Sequence, residues 1–534
     1  MKKSIFLSIS ILCSVLAFGQ QQLQKTPPSE TDRLDEILKF VDKMYVDNVD
    51  DKKLVDAAIV AMLEKLDPHT AYISKEEVDD ANQRIEGSFV GIGIRFQILK
   101  DTLMVVETIT GGPSEKLGIR AGDKITTIDG VNVAGIGLKN TQVREKLMGE
   151  LGTKVKIDVK RKNTKTPITF VITRDKIPVN SVECSYMVEP GIGYIKLTAF
   201  ARTTPDEMTK ALKQLKAEGM QSLILDLQDN GGGLMYVAQY LADEFLSGNK
   251  MIVYSEGRAQ PRQELKAERN GLWEKGNLVI LTDESSASAS EILSGAVQDW
   301  DRGVIVGRRS YGKGLVQRPI DLSDGAQLRL TIARYFTPTG RWIQKPYDDL
   351  EAYKNDYMKR FMNGEMTNLD SIKLPDSLKF QTLVSKRTVY GGGGIMPDFF
   401  VPLDTSEITD FYRDVSGTGV FASFPLTYVD KNRDDLNKKY ESLDAFIKEF
   451  EVDKKMMDDF LAEAMKENKE LKINEEQYKT SGDLMRLRLK AHIAQDLFGS
   501  ESFYRIYNTK NEILMKAIDV LKSNEYNSIK LASN

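Results

Sequence analysis

Histidine and cysteine are nearly absent from this chain of 534 residues, which contains two of each: His69, His492, Cys13 and Cys184. A metal site built from a cluster of His and Cys ligands is therefore nearly excluded, and a Ser-His-Asp triad has only two candidate bases. A strong net charge is also missing, because 74 Lys and Arg are interleaved with 78 Asp and Glu. That balance creates no strong field to attract nucleic acid or an anionic membrane, so both become less favoured as partners, and we expect no nucleic-acid partner.

Long apolar runs are scarce too, and the one at the N-terminus has the features of a signal peptide. Lys2 and Lys3 precede an apolar run at residues 5–16, and small residues at 17 and 19 predict cleavage after residue 19. A retained membrane anchor is the alternative, but the run is shorter than the ~20 residues that span a bilayer. Removal of residues 1–19 would leave Cys184 alone, so no intrachain disulfide could form.

The remaining chain is too long for one hydrophobic core, which stops growing near ~250–300 residues. Its composition, 41% hydrophobic and 28% charged, is that of a folded globular protein. We predict four parts: a linker with an N-terminal helical domain at 20–86, a compact module at 87–176, a larger core at 177–405 and a C-terminal helical domain at 406–534.

The two middle parts differ in their pattern of apolar residues. Residues 87–176 alternate short apolar strands with glycine turns and two short helices, which predicts a barrel-like α+β module. Residues 177–405 alternate strand and helix, which predicts a largely parallel α/β sheet with helices on its faces. The predicted fold class is therefore multidomain α/β and α+β. In such sheets, functional groups lie at the carboxyl ends of the strands.

Three consecutive glycines, Gly231, Gly232 and Gly233, follow the apolar strand predicted at 222–227. Glycine lets the backbone approach a ligand and point amide groups inward, as an oxyanion hole requires. A tight connection between strand and helix, with no ligand, explains the run equally well.

Ser288 lies three residues before Glu291 at the start of the apolar helix predicted at 289–300, which is the spacing of a capping box. This spacing places the Ser288 hydroxyl at a strand-to-helix turn, near the positive end of the helix. A plain N-cap serine is the more ordinary interpretation. A nucleophilic serine would need a group that activates its hydroxyl.

The activating group is not expected to be a histidine, because His69 lies far upstream and His492 lies in the tail helices. Lys313 is the better candidate, since it lies between two glycines directly after the apolar strand at 303–307. Desolvation can bring a lysine pKa from ~10.4 toward the ~7–8 that a general base needs. Gln317 could orient the amine through its side-chain oxygen. A solvated loop lysine is the alternative, and spacing alone does not overturn it.

The motifs around these residues resemble those of the carboxyl-terminal processing peptidases (peptidase family S41), which are tail-specific serine proteases with a Ser/Lys dyad. The likeness extends over about residues 35–402. The matching motifs are Leu66-Asp67-Pro68-His69-Thr70, the glycine turn at Asn230, Ser286-Ala287-Ser288-Ala289-Ser290-Glu291, Tyr311-Gly312-Lys313-Gly314 with Gln317, Thr337-Pro338-Thr339-Gly340-Arg341 and Gly394-Ile395-Met396-Pro397-Asp398.

This resemblance implies that Ser288 is the nucleophile, Lys313 the general base and Gln317 the residue that holds the lysine. Two departures from the family pattern stand out. Gln228 occupies the place of an arginine, so the contact that the arginine makes behind the site is expected to differ here. A polar stretch at about 345–390 separates two motifs that the family keeps close, and we expect a surface insertion there.

The resemblance also implies an oxyanion hole formed by the backbone amides of Ala289 and Gly232, with Gly231 and Gly233 as adjacent alternatives to the latter.

The module at 87–176 resembles the PDZ domain that these enzymes carry. It would present Phe89, Val90, Gly91, Ile92 and Gly93 as a carboxylate-binding loop, with the bound peptide adding a strand to the sheet. A dinucleotide-binding fingerprint is the rival interpretation of the glycine pair, but a strand rather than a helix follows it. A purely structural β-bulge is the third interpretation.

The function implied is that of an exported serine endopeptidase that recognises accessible carboxyl-terminal tails of proteins or peptides and cleaves nearby. By analogy with the family we expect it in the periplasm, soluble or peripherally associated with the membrane after removal of the signal peptide. It needs no metal or organic cofactor. The alternative from another class is a noncatalytic peptide-binding protein or chaperone on a protease scaffold. The tail helices beyond 405 could bind an adaptor or build a homo-oligomer in either case.

Overall fold

The computed structural model describes residues 29–99, 101–161, 164–529 and 531–532. The predicted signal peptide at 1–19, and residues 20–28 of the predicted linker, lie outside the described residues. No described helix combines the length and the apolar composition that a membrane span requires. Contacts divide the chain after Leu66 into two compact units.

From residue 29 onward, where its description begins, the first unit has two helices, α1 (Glu30–Met44) and α2 (Asp51–Leu63). Helix α1 begins at a capping box, in which the Ser29 hydroxyl accepts from Asp32 N–H at 3.2 Å and the Asp32 carboxylate accepts from Ser29 N–H at 2.6 Å. Asp50 caps α2 by accepting from Lys53 N–H at 3.2 Å. The helical N-terminal region expected from the spacing of apolar residues is confirmed.

The second unit opens with β1 (Ala71–Ile73) and α3 (Val78–Glu86), followed by a small antiparallel module. The module comprises β2 (Ser88–Gly91), β3 (Ile94–Leu99), β4 (Thr102–Thr108), α4 (Pro113–Lys116), β5 (Lys124–Ile128), β6 (Val131–Asn132), α5 (Asn140–Leu147), β7 (Lys154–Lys160), β8 (Ile168–Thr173) and β9 (Asp175–Pro178). Its main sheet has the order β3-β4-β5-β7-β8, while β2 pairs with β9. The compact α+β module expected from the glycine-punctuated strands is confirmed.

The larger core follows in the order predicted, strand alternating with helix. Its elements are β10 (Val182–Glu189), β11 (Ile192–Leu197), α6 (Thr204–Ala217), β12 (Ser222–Asp226), α7 (Met235–Asp243), β13 (Met251–Gly257), β14 (Gln260–Lys266), β15 (Asn277–Thr282), α8 (Ala289–Asp299), β16 (Val304–Gly307), β17 (Leu315–Asp321), β18 (Gln327–Phe336), α9 (Leu350–Lys354), α10 (Asp356–Met362), β19 (Lys379–Gln381), β20 (Thr388–Tyr390) and β21 (Phe399–Phe400).

The central sheet has the order β10-β11-β12-β15-β16-β21 and is parallel except where β10 pairs with β11. Residues of its inner strands alternate between two apolar clusters, as the period of a strand requires. Leu225 and Ile280 pack with helices α6, α7 and α8 on one face. Ile224 and Val279 face the opposite side. The predicted parallel sheet is confirmed.

A second, antiparallel sheet was not predicted. It has the order β1-β18-β13-β14, with β17 paired to β18. The strand pair predicted near residues 328–335 corresponds to β17 and β18, whereas the hairpin β13–β14 gave no recognised signal. Because β1 pairs with β18, with Ala71 opposite Arg329, the segment just before β1 is held against this sheet.

The last part of the chain is helical, as expected. Its helices are α11 (Asp410–Gly417), α12 (Val420–Lys439), α13 (Leu443–Glu449), α14 (Lys454–Glu467), α15 (Glu475–Phe498), α16 (Ser500–Tyr507), α17 (Glu512–Lys522) and α18 (Glu525–Ser528). Helices α11 to α16 enclose an aromatic-rich core of their own. Helix α17 instead places Ile513 and Leu514 against Ile224 and Val279, so it covers the second face of the central sheet.

Candidate active site

Three turns meet at the carboxyl ends of three adjacent parallel strands. The glycine turn follows β12, the turn that carries Ser288 follows β15, and the loop that carries Lys313 follows β16. Ser288, Lys313 and Gln317 line one cleft of about 730 Å³ together with the three glycines. The structure thus brings together the residues that the sequence suggested for catalysis.

Ser288 has an unusual backbone conformation for the residue that precedes a helix. Its φ of 57° and ψ of −111° lie outside the extended region that an N-cap normally adopts. Such strain is typical of functional turns, where it exposes a side chain that an ordinary turn would not.

Only one half of the predicted capping box forms around Ser288. The Glu291 carboxylate accepts from Ser288 N–H at 2.8 Å, but the Glu291 amide donates to the Ser288 carbonyl oxygen at 2.9 Å rather than to the hydroxyl. Within the described residues, the Ser288 hydroxyl therefore has no capping partner. In a plain N-cap serine, the hydroxyl oxygen would accept from the amide at the third helical position. The geometry therefore favours a hydroxyl that is available for other chemistry.

The helix behind Ser288 is completely buried. All residues of α8, from Ala289 to Asp299, are shielded from solvent. The Ala289 amide lies in the first turn, where helix N–H groups have no intrahelical acceptor, and it donates to no other described residue. The positive end of a buried helix favours negative charge that develops beside it.

Lys313 directs its amine at Gln317. Lys313 Nζ donates to Gln317 Oε1 at 2.8 Å, and no hydrogen bond joins Lys313 Nζ to Ser288 among the described residues. Burial lowers the pKa of Lys313, and the charge of Arg329 lowers it further, while the carboxylates of Glu291 and Asp67 act in the opposite direction. The lysine is thus shifted toward the neutral form that a general base requires.

Gln317 is aimed by a local irregularity of β17. The pairing of β17 with β18 shifts register between Val316 and Gln317, and such a bulge redirects the side chain beside it. The Gln317 amide nitrogen donates to the backbone carbonyl oxygen of His69. Both ends of the Gln317 side chain are therefore bound, one to Lys313 and one to the segment before β1.

The glycine turn packs directly against the turn of Ser288. Gly232 has a φ of +99°, and a Cβ placed there would lie 2.7 Å from the Ala287 carbonyl oxygen and 2.8 Å from the Ala289 nitrogen. Only glycine fits so close an approach. The Gly232 amide donates to Asn230 Oδ1 at 2.9 Å, whereas the amides of Gly231 and Gly233 have no acceptor among the described residues.

Sequence reasoning gave no catalytic role to three buried residues that hold these turns together. Glu291 accepts from Ser288 N–H, Lys313 N–H, Gly312 N–H and the Ser310 hydroxyl. Asn230 accepts from Ala287 N–H and from the Ser290 hydroxyl through its carbonyl oxygen. Tyr335 donates to the carbonyl oxygens of Ser288 and Lys313. Of the three, Glu291 had a signal in its capping spacing and Asn230 in the family-like glycine turn, whereas Tyr335 had none.

Neither histidine is among the residues that line the cleft of Ser288. His69 contacts the site through its backbone oxygen, and its ring nitrogen Nε2 lies 2.8 Å from the hydroxyl of Tyr353. His492 lies in α15, in contact with Gln495 and Phe503. Burial lowers the pKa of each to about 4, so both are neutral near pH 7. Within the described residues, no group of three His, Cys, Asp or Glu side chains could hold a metal ion.

A second cavity, of about 300 Å³, lies in the small module between β3 and α5. Of the predicted carboxylate-binding loop, Phe89, Gly91, Ile92 and Gly93 line it, and Val90 does not. Ser114 N–H donates to the Ile92 carbonyl oxygen at 3.1 Å, which fixes the loop. The strand β3 follows the glycine pair directly, so the helix that a dinucleotide site requires is not present at that place.

Models of four families match the chain. Peptidase family S41 matches residues 191–350, and the PDZ domain matches residues 90–172. The N-terminal domain of the activating protease CtpB matches residues 14–77, and a family of unknown function matches residues 411–499.

Similar proteins are named as processing proteases. The carboxy-terminal-processing protease of Bartonella bacilliformis is 32% identical over 426 residues, which cover 79% of this chain and 96% of that protein. The carboxy-terminal processing protease CtpA of Bacillus subtilis is 34% identical over 342 residues, 64% of this chain and 72% of that protein. The solved photosystem II D1 C-terminal processing protease is 31% identical, with a TM-score of 0.32, and covers 57% of this chain and 88% of its own.

Proposed function

The chain belongs to peptidase family S41, and from that premise we propose that it is an exported endopeptidase that binds the carboxyl-terminal tail of a protein and cleaves it with Ser288 and Lys313. Serine-type peptidase activity follows from the family. The dyad is supported by one observation above all: an uncapped Ser288 hydroxyl and a desolvated Lys313 line the same cleft, at the ends of neighbouring strands.

The proposed reaction begins when neutral Lys313 takes the proton of Ser288 Oγ. The oxygen attacks the carbonyl carbon of the substrate, and the resulting oxyanion is held by the Ala289 amide together with an amide of the glycine turn. The C–N bond then breaks, and the Lys313 ammonium gives its proton to the leaving amine. Water, deprotonated in turn by Lys313, hydrolyses the acyl-enzyme.

Two contacts must change when substrate binds. Lys313 Nζ has to reach Ser288 Oγ, a contact of the kind that is often long without substrate and tightens in the complex. The Gly232 amide, if it is the second oxyanion donor, must leave Asn230 Oδ1. Gly231 and Gly233, whose amides are free among the described residues, can serve without that exchange.

Tail recognition is proposed for the groove of the PDZ module. Its lining is apolar at Ile92, Phe96 and Leu147, which suits an apolar terminal side chain. The direct test uses an unfolded protein that ends in an apolar tail and a matched one that ends in charged residues. We expect faster cleavage of the first. Equal rates for both would contradict tail recognition.

Binding can be tested separately from cleavage. In the Ser288→Ala protein, a peptide with an apolar last residue and a free carboxylate should bind at least about tenfold more tightly than the same peptide with a terminal amide, because the amide lacks the charge that the loop captures. Fluorescence anisotropy measures both affinities. Equal affinities for the free carboxylate and the terminal amide would show that the groove does not recognise a chain terminus.

The pH dependence of kcat/KM should report the ionisation of Lys313. Only the neutral amine is active, so activity rises as pH increases through the lowered pKa of Lys313 and levels off above it. Arg329→Gln removes a neighbouring positive charge that lowers this pKa, and the acid limb should move to higher pH by about half a pH unit. Arg318→Gln, an exposed arginine on β17, serves as the control and should leave the limb in place. An unmoved limb in Arg329→Gln would argue against Lys313 as the base.

A further inference from the structure

One side chain of the insertion that interrupts the family pattern contacts the segment before β1. Helix α9 places Tyr353 at 6% exposure, with its hydroxyl 2.8 Å from Nε2 of His69. The two rings meet edge to face, with centroids 5.6 Å apart. Tyr353 therefore holds the His69 ring by both a hydrogen bond and a ring contact.

A chain of hydrogen bonds continues from His69 to the proposed general base. The Gln317 amide nitrogen donates to the His69 carbonyl oxygen, and Gln317 Oε1 accepts from Lys313 Nζ. This orientation of the Gln317 amide is the only one that satisfies both partners, because an ammonium only donates and a carbonyl only accepts. Three contacts thus connect Tyr353 to the Lys313 amine.

His69 belongs to neither a helix nor a strand, so its conformation depends on what its groups contact. Its N–H donates to Asp67 Oδ1 at 2.8 Å, which fixes one side of the residue. On the other side, Tyr353 fixes the ring. The His69 carbonyl oxygen, which accepts from Gln317, is therefore held in place by two contacts of the residue. Without the contact between the His69 ring and Tyr353, one of these two would be lost.

Tyr353 is in turn fixed from the lysine loop. Its ring meets Tyr311 edge to face at 6.2 Å, two residues before Lys313. The ammonium of Lys345 lies 4.3 Å from the Tyr353 ring centroid and pairs with Asp356 at 2.9 Å. The insertion and the loop of the proposed base therefore form one packed group.

We propose that Tyr353 is a positioning residue, through which the insertion at 345–390 sets the placement of Lys313 by way of His69 and Gln317. This inference rests on the proposed function, since it assigns a role in placing that function's base. It gives the insertion a part in the reaction.

Tyr353→Phe removes the hydroxyl and keeps the ring. We expect kcat to fall about tenfold with KM unchanged, because Gln317 then holds the amine less firmly. The acid limb of the pH profile should also move to lower pH, since the ammonium form loses a well-placed acceptor. Combining Tyr353→Phe with Gln317→Ala should add no further loss beyond Gln317→Ala alone. If Tyr353 only stabilised the fold, Tyr353→Phe would reduce the fraction of active molecules but leave the acid limb of the pH profile in place.

Tyr357→Phe is the matched control, because Tyr357 lies in the same insertion and is 51% exposed. It should leave kcat and the limb unchanged. His69→Ala provides a second variant, which removes the partner of Tyr353 but keeps the backbone carbonyl. If Tyr353→Phe folds poorly, kcat and the position of the acid limb measured in His69→Ala test whether the contact between Tyr353 and His69 places Lys313.

A measurement that needs no activity separates this inference from the proposed function. In the Ser288→Ala protein, the pH dependence of Lys313 acetylation can be followed by mass spectrometry. Tyr353→Phe should lower its midpoint, and Tyr357→Phe should not. Suppose that the wild-type protein cleaves no substrate, and that Tyr353→Phe still lowers the midpoint of Lys313 acetylation. The proposed function then fails, and the coupling between Tyr353 and Lys313 stands. If the midpoint and the pH profile both stay in place, the inference is overturned.

Discussion

Replacing Ser288 with alanine should lower kcat for peptide hydrolysis by about 10⁴-fold or more, because it removes the hydroxyl that forms the acyl-enzyme in the proposed reaction. Lys313→Ala should cause a loss of similar size, since the hydroxyl of Ser288 then keeps its proton. The two losses should not add in the double variant, because the residues act as one unit. Cleavage of an unfolded protein with an apolar tail, followed by electrophoresis and by single-turnover kinetics, measures all three.

Ser285→Ala is the matched control for the nucleophile. Ser285 is exposed in the same serine-rich turn, and its hydroxyl can be lost without disturbing the buried contacts of Ser288. Full activity in Ser285→Ala with none in Ser288→Ala would separate the two serines. Undiminished cleavage by Ser288→Ala would refute the nucleophile. Tail binding by a wild-type protein that never cleaves would favour the alternative of a noncatalytic peptide-binding protein.

Much of the fold could be predicted because its signals are local. Apolar strands followed by glycine or serine turns marked the parallel sheet, and the capping spacing located the start of α8 at Ala289. The general expectation that functional groups lie at the carboxyl ends of parallel strands agrees with the structure, in which the turns of Ser288 and Lys313 follow the neighbouring strands β15 and β16. Local patterns sufficed wherever the chain order of elements determines their neighbours.

The antiparallel sheet was missed because its pairings are distant in the chain. Ala71 pairs with Arg329, and the sequence around either residue contains no pattern that predicts this pairing. The same limit applies to Asn230 and Tyr335, whose roles arise from contacts with backbone groups of remote turns. His69 shows the limit most clearly, since its contribution to the site is made by a carbonyl oxygen that every residue type possesses.

The C-terminal part illustrates a related limit. Its helical character followed from composition and from the spacing of apolar residues, and the structure has helices there. The division between a tail domain and the core did not follow, because α17 and α18 pack on the central sheet, α11 to α15 pack on one another, and α16 contacts both groups. Tyr526 even accepts from Leu278 N–H at 2.9 Å, within β15. An apolar helix face does not indicate which of two surfaces it will cover.

Glu291 is the residue whose loss should most disturb the site without removing a reacting group. It is fully buried, and its two oxygens accept from four donors. Oε1 accepts from the Ser310 hydroxyl and Gly312 N–H, and Oε2 accepts from Ser288 N–H and Lys313 N–H. Burial raises the pKa of Glu291, but its four donors oppose that shift. With every position taken by a donor, only the acceptor-only carboxylate satisfies them all.

Glu291→Gln should therefore be costly although it is nearly isosteric. On the Oε2 side, the new amide nitrogen would face two backbone N–H groups; on the Oε1 side, it would face Gly312 N–H and could donate to the Ser310 hydroxyl, which would then have to turn its own proton away. If each lost acceptor costs about 1.5 kcal/mol, the free energy of unfolding falls by at least about 1.5 kcal/mol. The turn of Ser288 and the loop of Lys313 would also separate, and we expect kcat to fall by about 100-fold. Thermal unfolding and single-turnover kinetics measure the two effects.

Glu284→Gln makes the same chemical change in the same turn, where the carboxylate pairs with Arg308 at 2.7 Å. It should affect stability less and leave kcat near the wild-type value, because Glu284 contacts neither the backbone of Ser288 nor that of Lys313. Glu291→Gln with normal stability and normal kcat would mean that the two turns keep their places without the shared carboxylate. Normal stability with a large loss of kcat would instead show that the carboxylate acts on the dyad alone, through the placement of Ser288 and Lys313 relative to each other.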